Sequence, residues 1–311
     1  MKNIVITGGL GFIGKHLIDK HYSLEDHVTV IDNGSTSCFD RSLKGDVVFM
    51  DLSYECESIR GIIEKADLVY HLASSVGVAH IDNNPKDAIN NIFRINTNLL
   101  SLFSEYKTRV IFTSTSEVYG NTKNAKESDS LTIGSIDHLR WGYACAKLMC
   151  EFMFRASDAR YTIVRPFNVT GVGQSDRFGM VLPKFMKSAL SNEDIIIHDD
   201  GSQIRSFCDI RDAIDMLFKL GDEKYINNVY NIGNDKNVIT IKELARLVVK
   251  LTGSSSNVVS AKTKDIFSKE FAQIDTRTPD ITKISKIHKP QYSIEDIINS
   301  MMAAVECEAP L

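Results

Sequence analysis

Asn3-Ile4-Val5-Ile6-Thr7-Gly8-Gly9-Leu10-Gly11-Phe12-Ile13-Gly14 decides how the rest of the sequence is read. A short apolar run, a glycine turn and a helix start come in the order that a dinucleotide site requires. Gly8 and Gly11 would let the backbone approach a pyrophosphate. The anion's charge would be met by the first amides of the helix, those of Phe12 and Ile13 among them, while Gly14 lets the helix pack on the strand. The spacing is G-x-x-G-x-x-G rather than G-x-G-x-x-G, and such a cluster alone is more often a turn than a cofactor loop. Its context decides.

Downstream, His27-Val28-Thr29-Val30-Ile31-Asp32-Asn33 reads as a second strand that ends in an acid. A carboxylate there accepts hydrogen bonds from ribose hydroxyls and repels a 2'-phosphate, which favours NAD over NADP. Asp32 also suits a turn with Asn33 and Gly34, and both readings stand. Val47 to Leu52 reads as a third strand, with Asp51 placed to hold an adenine amino group. Leu68 to Ser74 reads as a fourth, whose end (Leu72, Ala73, Ser74) would line the cofactor cleft. Arg94 to Leu100 is helical and contains Asn96, and Arg109 to Ser114 is the next strand. Strands alternating with helices predict an α/β fold, a Rossmann-type doubly wound parallel sheet with ligands at the carboxyl ends of its strands. We expect an NAD-binding domain over 1–170. A smaller, mainly substrate-binding α/β part over 171–311 would send segments back to the large domain.

Composition is that of an ordinary globular chain. Of the 311 residues 43% are hydrophobic and 24% charged, and 36 basic against 40 acidic residues leave a net charge of -4. Such a balance provides no basic field for nucleic acid or a membrane surface. Cys38, Cys56, Cys145, Cys150, Cys208 and Cys307 lack metal-ligand spacing, and no signal peptide or long apolar span is seen, so a reducing cytoplasm is expected. Cys145 is read as a small helix residue rather than a nucleophile. His71 is read as a packed strand-end residue. His80 and His138 accompany no acidic or cysteine cluster, so no metal site is expected.

Chemistry concentrates between Ile111 and Lys147. Thr113-Ser114-Thr115-Ser116-Glu117-Val118-Tyr119-Gly120 succeeds a strand, and Trp141-Gly142-Tyr143-Ala144-Cys145-Ala146-Lys147 lies on a helix. Tyr143 and Lys147, four apart, share a helix face, so the ammonium can bias the phenol toward phenolate. Unperturbed, a tyrosine titrates near 10 and is a poor base at neutral pH. With a nearby cation it could take a proton from an alcohol.

Taken together, Gly8-x-x-Gly11-x-x-Gly14, Asp32, His71-Leu72-Ala73, the Thr-Ser strand end and Tyr143-x-x-x-Lys147 resemble the extended short-chain dehydrogenase/reductases that act on nucleotide sugars. The likeness extends over the chain through Arg165-Pro166-Phe167-Asn168, Met180-Val181-Leu182-Pro183, Gly201-x-Gln203-x-Arg205-Ser206-Phe207-x-Asp209, Tyr230-Asn231-Ile232-Gly233 and Arg277-Thr278-Pro279-Asp280. The resemblance implies an NAD-dependent epimerase, dehydratase or decarboxylase. Tyr143 would be the base at the sugar C4 hydroxyl. Lys147 would lower the Tyr143 pKa and hold the nicotinamide ribose, and Ser114 or Thr115 would bind the C4 oxygen. It implies cofactor contacts from Gly8, Gly11, Phe12, Ile13, Gly14, Asp32, Asn33, Asp51, Leu52, Leu72, Ala73, Ser74, Asn96, Tyr143 and Lys147. Asn168, Val181, Arg205 and Arg277 would face the substrate; for the arginines, surface salt bridges are the plain alternative.

The fate of the C4 ketone depends on the pair after Thr115. Sugar 4,6-dehydratases usually carry Asp-Glu there, whereas this chain carries Ser116-Glu117. Ser-Glu before Val-Tyr-Gly, with Arg140-Trp141 ahead of Tyr143, resembles the decarboxylases of UDP-glucuronate. Glu117 would be the C5 acid or base, or else a structural carboxylate. The alternatives are a 4-epimerase, a 4,6- or 5,6-dehydratase, and an NAD-binding sensor without turnover. The last is weakened by the presence of both Tyr143 and Lys147. Asn121 to Asp137 matches no decarboxylase segment.

In the last third, Asp209 starts an amphipathic helix, Thr240 and Glu243 form a capping-box pattern, Gly253 to Asn257 is a loop, and Ser293 opens the final helix. The tail from Glu306 to Leu311 is expected to fray. Relatives commonly dimerise through a four-helix bundle. Leu99, Leu100, Phe103 and the Leu148, Met149, Phe152, Met153 face suit either a homodimer or the chain's own core.

Overall fold

The computed structural model describes residues 1–35, 45–54, 56–75, 81, 84–177, 179–262 and 274–308. The expectations for Cys38, His80 and the last three residues lie outside that range, as do those for the side chains of Glu306 and Cys307.

The first half runs β1 (Asn3–Thr7), α1 (Phe12–Tyr22), β2 (His27–Asp32), β3 (Asp46–Phe49), α2 (Arg60–Glu64), β4 (Leu68–His71), α3 (Pro85–Glu105) and β5 (Arg109–Thr113). After a single 3-10 turn, Ser116–Tyr119, come β6 (Thr122–Ala125), α4 (Arg140–Ala156), β7 (Arg160–Pro166) and β8 (Val169–Thr170). The second half runs α5 (Val181–Leu190), β9 (Ile195–His198), β10 (Ile204–Ser206), β11 (Cys208–Asp209), α6 (Ile210–Lys219) and β12 (Asn228–Ile232). It closes with β13 (Val238–Thr240), α7 (Ile241–Thr252), β14 (Val258–Ala261), β15 (Thr276–Pro279) and α8 (Ile294–Glu308).

Seven strands form one sheet in the order β12-β7-β5-β4-β1-β2-β3, parallel throughout. Alternation along each strand explains why both faces are covered. Ile4, Ile6, Val28, Val30, Tyr70 and Ile111 enter one core with α1 and α6. Val5, Ile31, Val69, Val110 and Phe112 enter the other with α3 and α4. A sheet buried on both faces needs apolar residues at both parities, and these strands have them. Strand order reverses at β1, which pairs with β2 on one side and β4 on the other. Ligands of doubly wound sheets bind at such a switch point.

Two strands stop earlier than their apolar runs suggest. β3 ends at Phe49, after which the Met50 amide donates to the Asp32 carbonyl at 2.8 Å and the Asp51 carboxylate accepts from the Ser53 amide at 2.9 Å. A local turn has replaced strand pairing there. Leu72 still donates to the Thr7 carbonyl at 3.0 Å although β4 ends at His71.

β12 and α6, both late in the chain, belong to the large sheet and its first core. Around it lie a four-stranded sheet, β13-β10-β15-β6, and the β14-β9 pair. A third core gathers Leu182, Phe185, Phe207, Leu244, Val248, Ile297 and Ile298 from α5, α7, α8 and the β10–β11 link. Leu99 and Phe103 are fully buried inside the chain, whereas Met149 and Phe152 on α4 are 47% and 59% exposed. The face proposed for either core or partner is therefore divided between the two. No helix among the described residues is long and apolar enough to cross a membrane.

Candidate active site

The glycine turn is shaped for a close backbone approach. Gly8 sits at φ +69°, and a Cβ on it would lie 2.7 Å from the Ala73 nitrogen, so the ends of β1 and β4 can meet only around a glycine. A Cβ on Gly14 would lie 2.5 Å from the Gly9 backbone, which makes the turn itself, rather than the strand, the surface that Gly14 packs on. Gly11 caps α1 without a side chain, so no side-chain cap satisfies the helix's first amides. Asp32 accepts from the Leu10 amide at 3.0 Å and from the Gly34 amide at 2.8 Å. It both braces the glycine turn and makes the Asx turn. Burial raises the Asp51 carboxyl, but hydrogen bonds from Ser53 and Asn33 outweigh that and lower it, which ties Asn33 and Asp51 together at the strand ends. Leu52 is buried and its carbonyl accepts from Asn98 at 3.0 Å. Ala73 donates to the Thr7 hydroxyl at 3.3 Å, and Leu72 and Ser74 flank it at the switch point. A cleft of glycine backbone, capless helix amides and a strand-end carboxylate fits NAD.

Asn96 is buried on α3, donates to the Ile92 carbonyl at 2.8 Å and lies against His71. His71 shares a hydrogen bond with the Thr7 hydroxyl at 2.7 Å and packs among Phe103, Phe112 and Phe154. Burial pushes its imidazole down to about 3, the behaviour of a packed neutral ring.

Thr115, Ser116, Glu117 and Tyr143 are brought together at the end of β5. The Thr115 hydroxyl accepts from the Glu117 amide at 3.2 Å, caps the 3-10 turn, and hydrogen-bonds the Tyr143 phenol. Burial pushes that phenol up and the Glu117 carboxylate adds to the rise, while Thr115 and Arg277 pull the other way. Lys147 does not reach it as the helix spacing suggests. Its ammonium donates to the Thr113 carbonyl at 2.8 Å and lies 5.0 Å from the Phe112 ring centre, because the nearest acceptor is the end of β5 rather than its own helix face. Burial takes Lys147 down to about 8 against the opposing pull of Cys150 and Glu151. Of the two hydroxyls considered for the sugar oxygen, Ser114 is committed to Glu151 at 2.5 Å. Thr115 is the one beside Tyr143.

Glu117 is gripped by arginines. Arg140 reaches one carboxylate oxygen at 2.9 Å, and Arg277 reaches the same oxygen at 3.0 Å. Burial alone would raise Glu117, but Arg140 and then Arg277 overcome it and take it down to about 2. The Arg277 contact is a charge contact off the hydrogen-bond direction, and its buried Nε and Nη1 have no hydrogen-bond acceptor among the described residues. Its Nη2 meets the Asn168 side-chain oxygen at 3.5 Å. Asn168 adopts φ +35° and donates to the Ser206 carbonyl at 2.7 Å. Arg205 is in register with Arg277 across β10 and β15, and its guanidinium donates to the carbonyls of Ile204, Ile274 and Asp275. Burial, Arg277 and Arg140 lower it to about 9. Val181 is the first residue of α5. Arg140 was not among the expected site residues, and its only signal in the sequence was the Arg140-Trp141 pair ahead of Tyr143. Among the described residues no three His, Cys, Asp or Glu side chains gather as metal ligands.

Residues 4–233 match the model of the NAD dependent epimerase/dehydratase family. The chain is 32% identical over 294 residues to a UDP-N-acetyl-alpha-D-glucosaminuronate decarboxylase of Bacillus cytotoxicus, covering 92% of this chain and 91% of the relative. It is 29% identical over 349 residues to UDP-D-apiose/UDP-D-xylose synthase 1 of Arabidopsis thaliana, covering 96% and 90%. Among solved structures, UDP-N-acetylglucosamine 4-epimerase from Methanobrevibacter ruminantium M1, in complex with UDP-N-acetylmuramic acid, superimposes with a TM-score of 0.86 at 26% identity over 99% of both chains.

Proposed function

The chain belongs to the NAD-dependent epimerase/dehydratase family, and on that premise we propose that it is a decarboxylase of a UDP-linked hexuronate that first oxidises the sugar C4 hydroxyl. NAD, when bound, supplies the hydride acceptor. Tyr143 takes the hydroxyl proton while the Thr115 hydroxyl holds the oxygen. Lys147 holds the nicotinamide ribose, and Asn168, Arg205 and Arg277 face the nucleotide sugar with Val181 at the start of α5. A ketone at C4 makes the C6 carboxylate part of a β-keto acid. The C5–C6 bond then breaks, carbon dioxide leaves, and the electron pair is held as an enolate until C5 receives a proton handled by Glu117.

One observation carries this reading beyond the family: a buried carboxylate beside Tyr143, in contact with Arg140 and the buried Arg277, whose Nε has no acceptor among the described residues. Such a donor suits a second anion, and arginine's fork matches a carboxylate. A neutral hexose offers no such group at C6. The similarity to a glucosaminuronate decarboxylase supports the same choice.

The test is to incubate the protein with NAD and, separately, UDP-glucuronate and UDP-N-acetylglucosaminuronate. Release of carbon dioxide from either supports the proposal. An epimer of unchanged mass, or loss of water from UDP-glucose or UDP-N-acetylglucosamine without decarboxylation of a uronate, overturns it in favour of an epimerase or a dehydratase. A reducing cytoplasm belongs to this reading, supported by the free thiols of Cys56, Cys145, Cys150 and Cys208. So does a homodimer formed through the exposed apolar face of α4.

A further inference from the structure

Behind the turn that carries Thr115, Ser116 and Glu117 lies a buried ion pair that the chemistry above does not use. Glu151 sits one helical turn beyond Lys147 on α4, and Arg165 sits on β7; both side chains are at least 95% buried. Arg165 donates through Nε at 2.9 Å and Nη2 at 2.6 Å, one bond to each carboxylate oxygen. The remaining capacity of the pair goes to the catalytic turn. Glu151 accepts from the Ser114 hydroxyl at 2.5 Å, and Arg165 donates through Nη1 to the Tyr119 hydroxyl at 2.8 Å. Tyr119 in turn donates to the Asn231 side chain at 2.8 Å, and Asn231 is fixed by the carbonyls of Ala125 and Asp280.

We propose that Glu151 and Arg165 are positioning residues that clamp the catalytic turn at both ends. Ser114 immediately precedes Thr115, and Tyr119 closes the 3-10 turn that Ser116 begins. Both hydroxyls are held by one rigid pair, anchored in the helix that bears Tyr143 and Lys147. A buried ion pair is weak ground for stability, since an apolar pair of similar volume often serves as well. Its bidentate geometry does fix orientation. Misplacing reacting groups by an ångström costs about a hundredfold in rate, so a clamp of this kind acts on chemistry. The clamp rests on the proposed function for its kinetic arm only.

Glu151→Gln leaves Arg165 buried without a counter-charge and is expected to fold poorly, so the test uses Ser114→Ala and Tyr119→Phe, which remove one hydroxyl each and keep the pair. In the NAD-loaded full chain, hydrogen exchange of amides 115–120 should accelerate in both variants while the rest of the protein keeps its protection and NAD affinity stays within about twofold. In single turnovers with UDP-glucuronate, Ser114→Ala should slow NADH appearance about tenfold, because it loosens Thr115. Tyr119→Phe should slow appearance of the C5-protonated product relative to NADH appearance, because it loosens Glu117. A merely structural role lowers the number of active sites and leaves that partition unchanged. Unchanged exchange over 115–120 in both variants overturns the clamp, as does an unchanged partition per active site. If the wild type decarboxylates no uronate, the functional proposal fails, while the exchange arm still decides the clamp.

Discussion

Lys147 donates to a strand-end carbonyl, and its ammonium titrates at about 8, well below an ordinary lysine, because it is buried. Its charged form is thus present below that pH and is lost above it. If the ammonium holds the nicotinamide ribose, kcat/KM should fall as pH rises through about 8. Lys147→Arg should move that limb upward by more than two pH units, since a guanidinium stays charged. A limb that stays in place in the variant would assign it to another group. Tyr143→Phe should abolish NADH formation and leave NAD bound, read by equilibrium binding beside a single-turnover trace. Glu117 behaves oppositely to Lys147. Its folded pKa of about 2 lies below the unfolded value of 4.5, so the stability it contributes is complete above pH 4.5 and is lost as pH falls toward 2. Glu117→Gln should therefore destabilise the protein at neutral pH by an amount that shrinks on acidification. It should spare C4 oxidation and stall the C5 step, so that NADH accumulates. Equal loss of both steps would count against its role.

The elements of the large sheet were legible because alternation and flanking glycines are local signals. Gly8, Gly11 and Gly14 announce the first turn, and Ile4, Val5 and Ile6 face alternate cores as their spacing requires. Where pairing stops was not legible. Met50 and Leu72 continue the apolar runs past the last strand residues, Phe49 and His71. β6 was missed altogether. Thr122-Lys123-Asn124-Ala125 has no apolar alternation and is a strand only because β15, more than 150 residues later, pairs with it. Pairing between separate elements also hid the site's contacts, Ser114 with Glu151 and Arg140 with Glu117. The capping box at α7, by contrast, is written locally and forms as read. Thr240 accepts from the Glu243 amide at 3.1 Å, and Glu243 returns to the Thr240 amide at 3.0 Å. Thr240→Ala should cost about 1 kcal/mol, seen as a lower Tm with kcat unchanged. α7 belongs to the third core and supplies no group to Tyr143 or Glu117.

On the scale of the whole molecule, the chain closes on itself at the site. β15 lies between β10 and β6, so Arg277 arrives beside Arg205 and opposite Thr122. The candidate catalytic groups that follow β5 and lie on α4 thus meet arginines from the smaller sheet, and the position of α4 sets the distance between them. That helix buries Ala146, Cys150 and Phe154 in the second core and leaves Met149 and Phe152 exposed. Three apart, these two share one helix face. Leu99 and Phe103 are already spent on the interior, so the proposed dimer would use α4, rather than the middle of α3, as its apolar contact. Covering that face with a second copy would fix α4 and with it Tyr143 and Lys147. Phe152→Asp would place a charge in the proposed contact and leave both cores intact. Light scattering should then give the mass of a monomer where the wild type gives that of a dimer. The concentration dependence of Tm should vanish, because only an associating chain is stabilised by mass action. kcat should fall while the variant still binds NAD. An unchanged mass for Phe152→Asp, or a monomeric wild type at micromolar concentration, would remove α4 as a subunit contact and leave its exposed pair as ordinary surface.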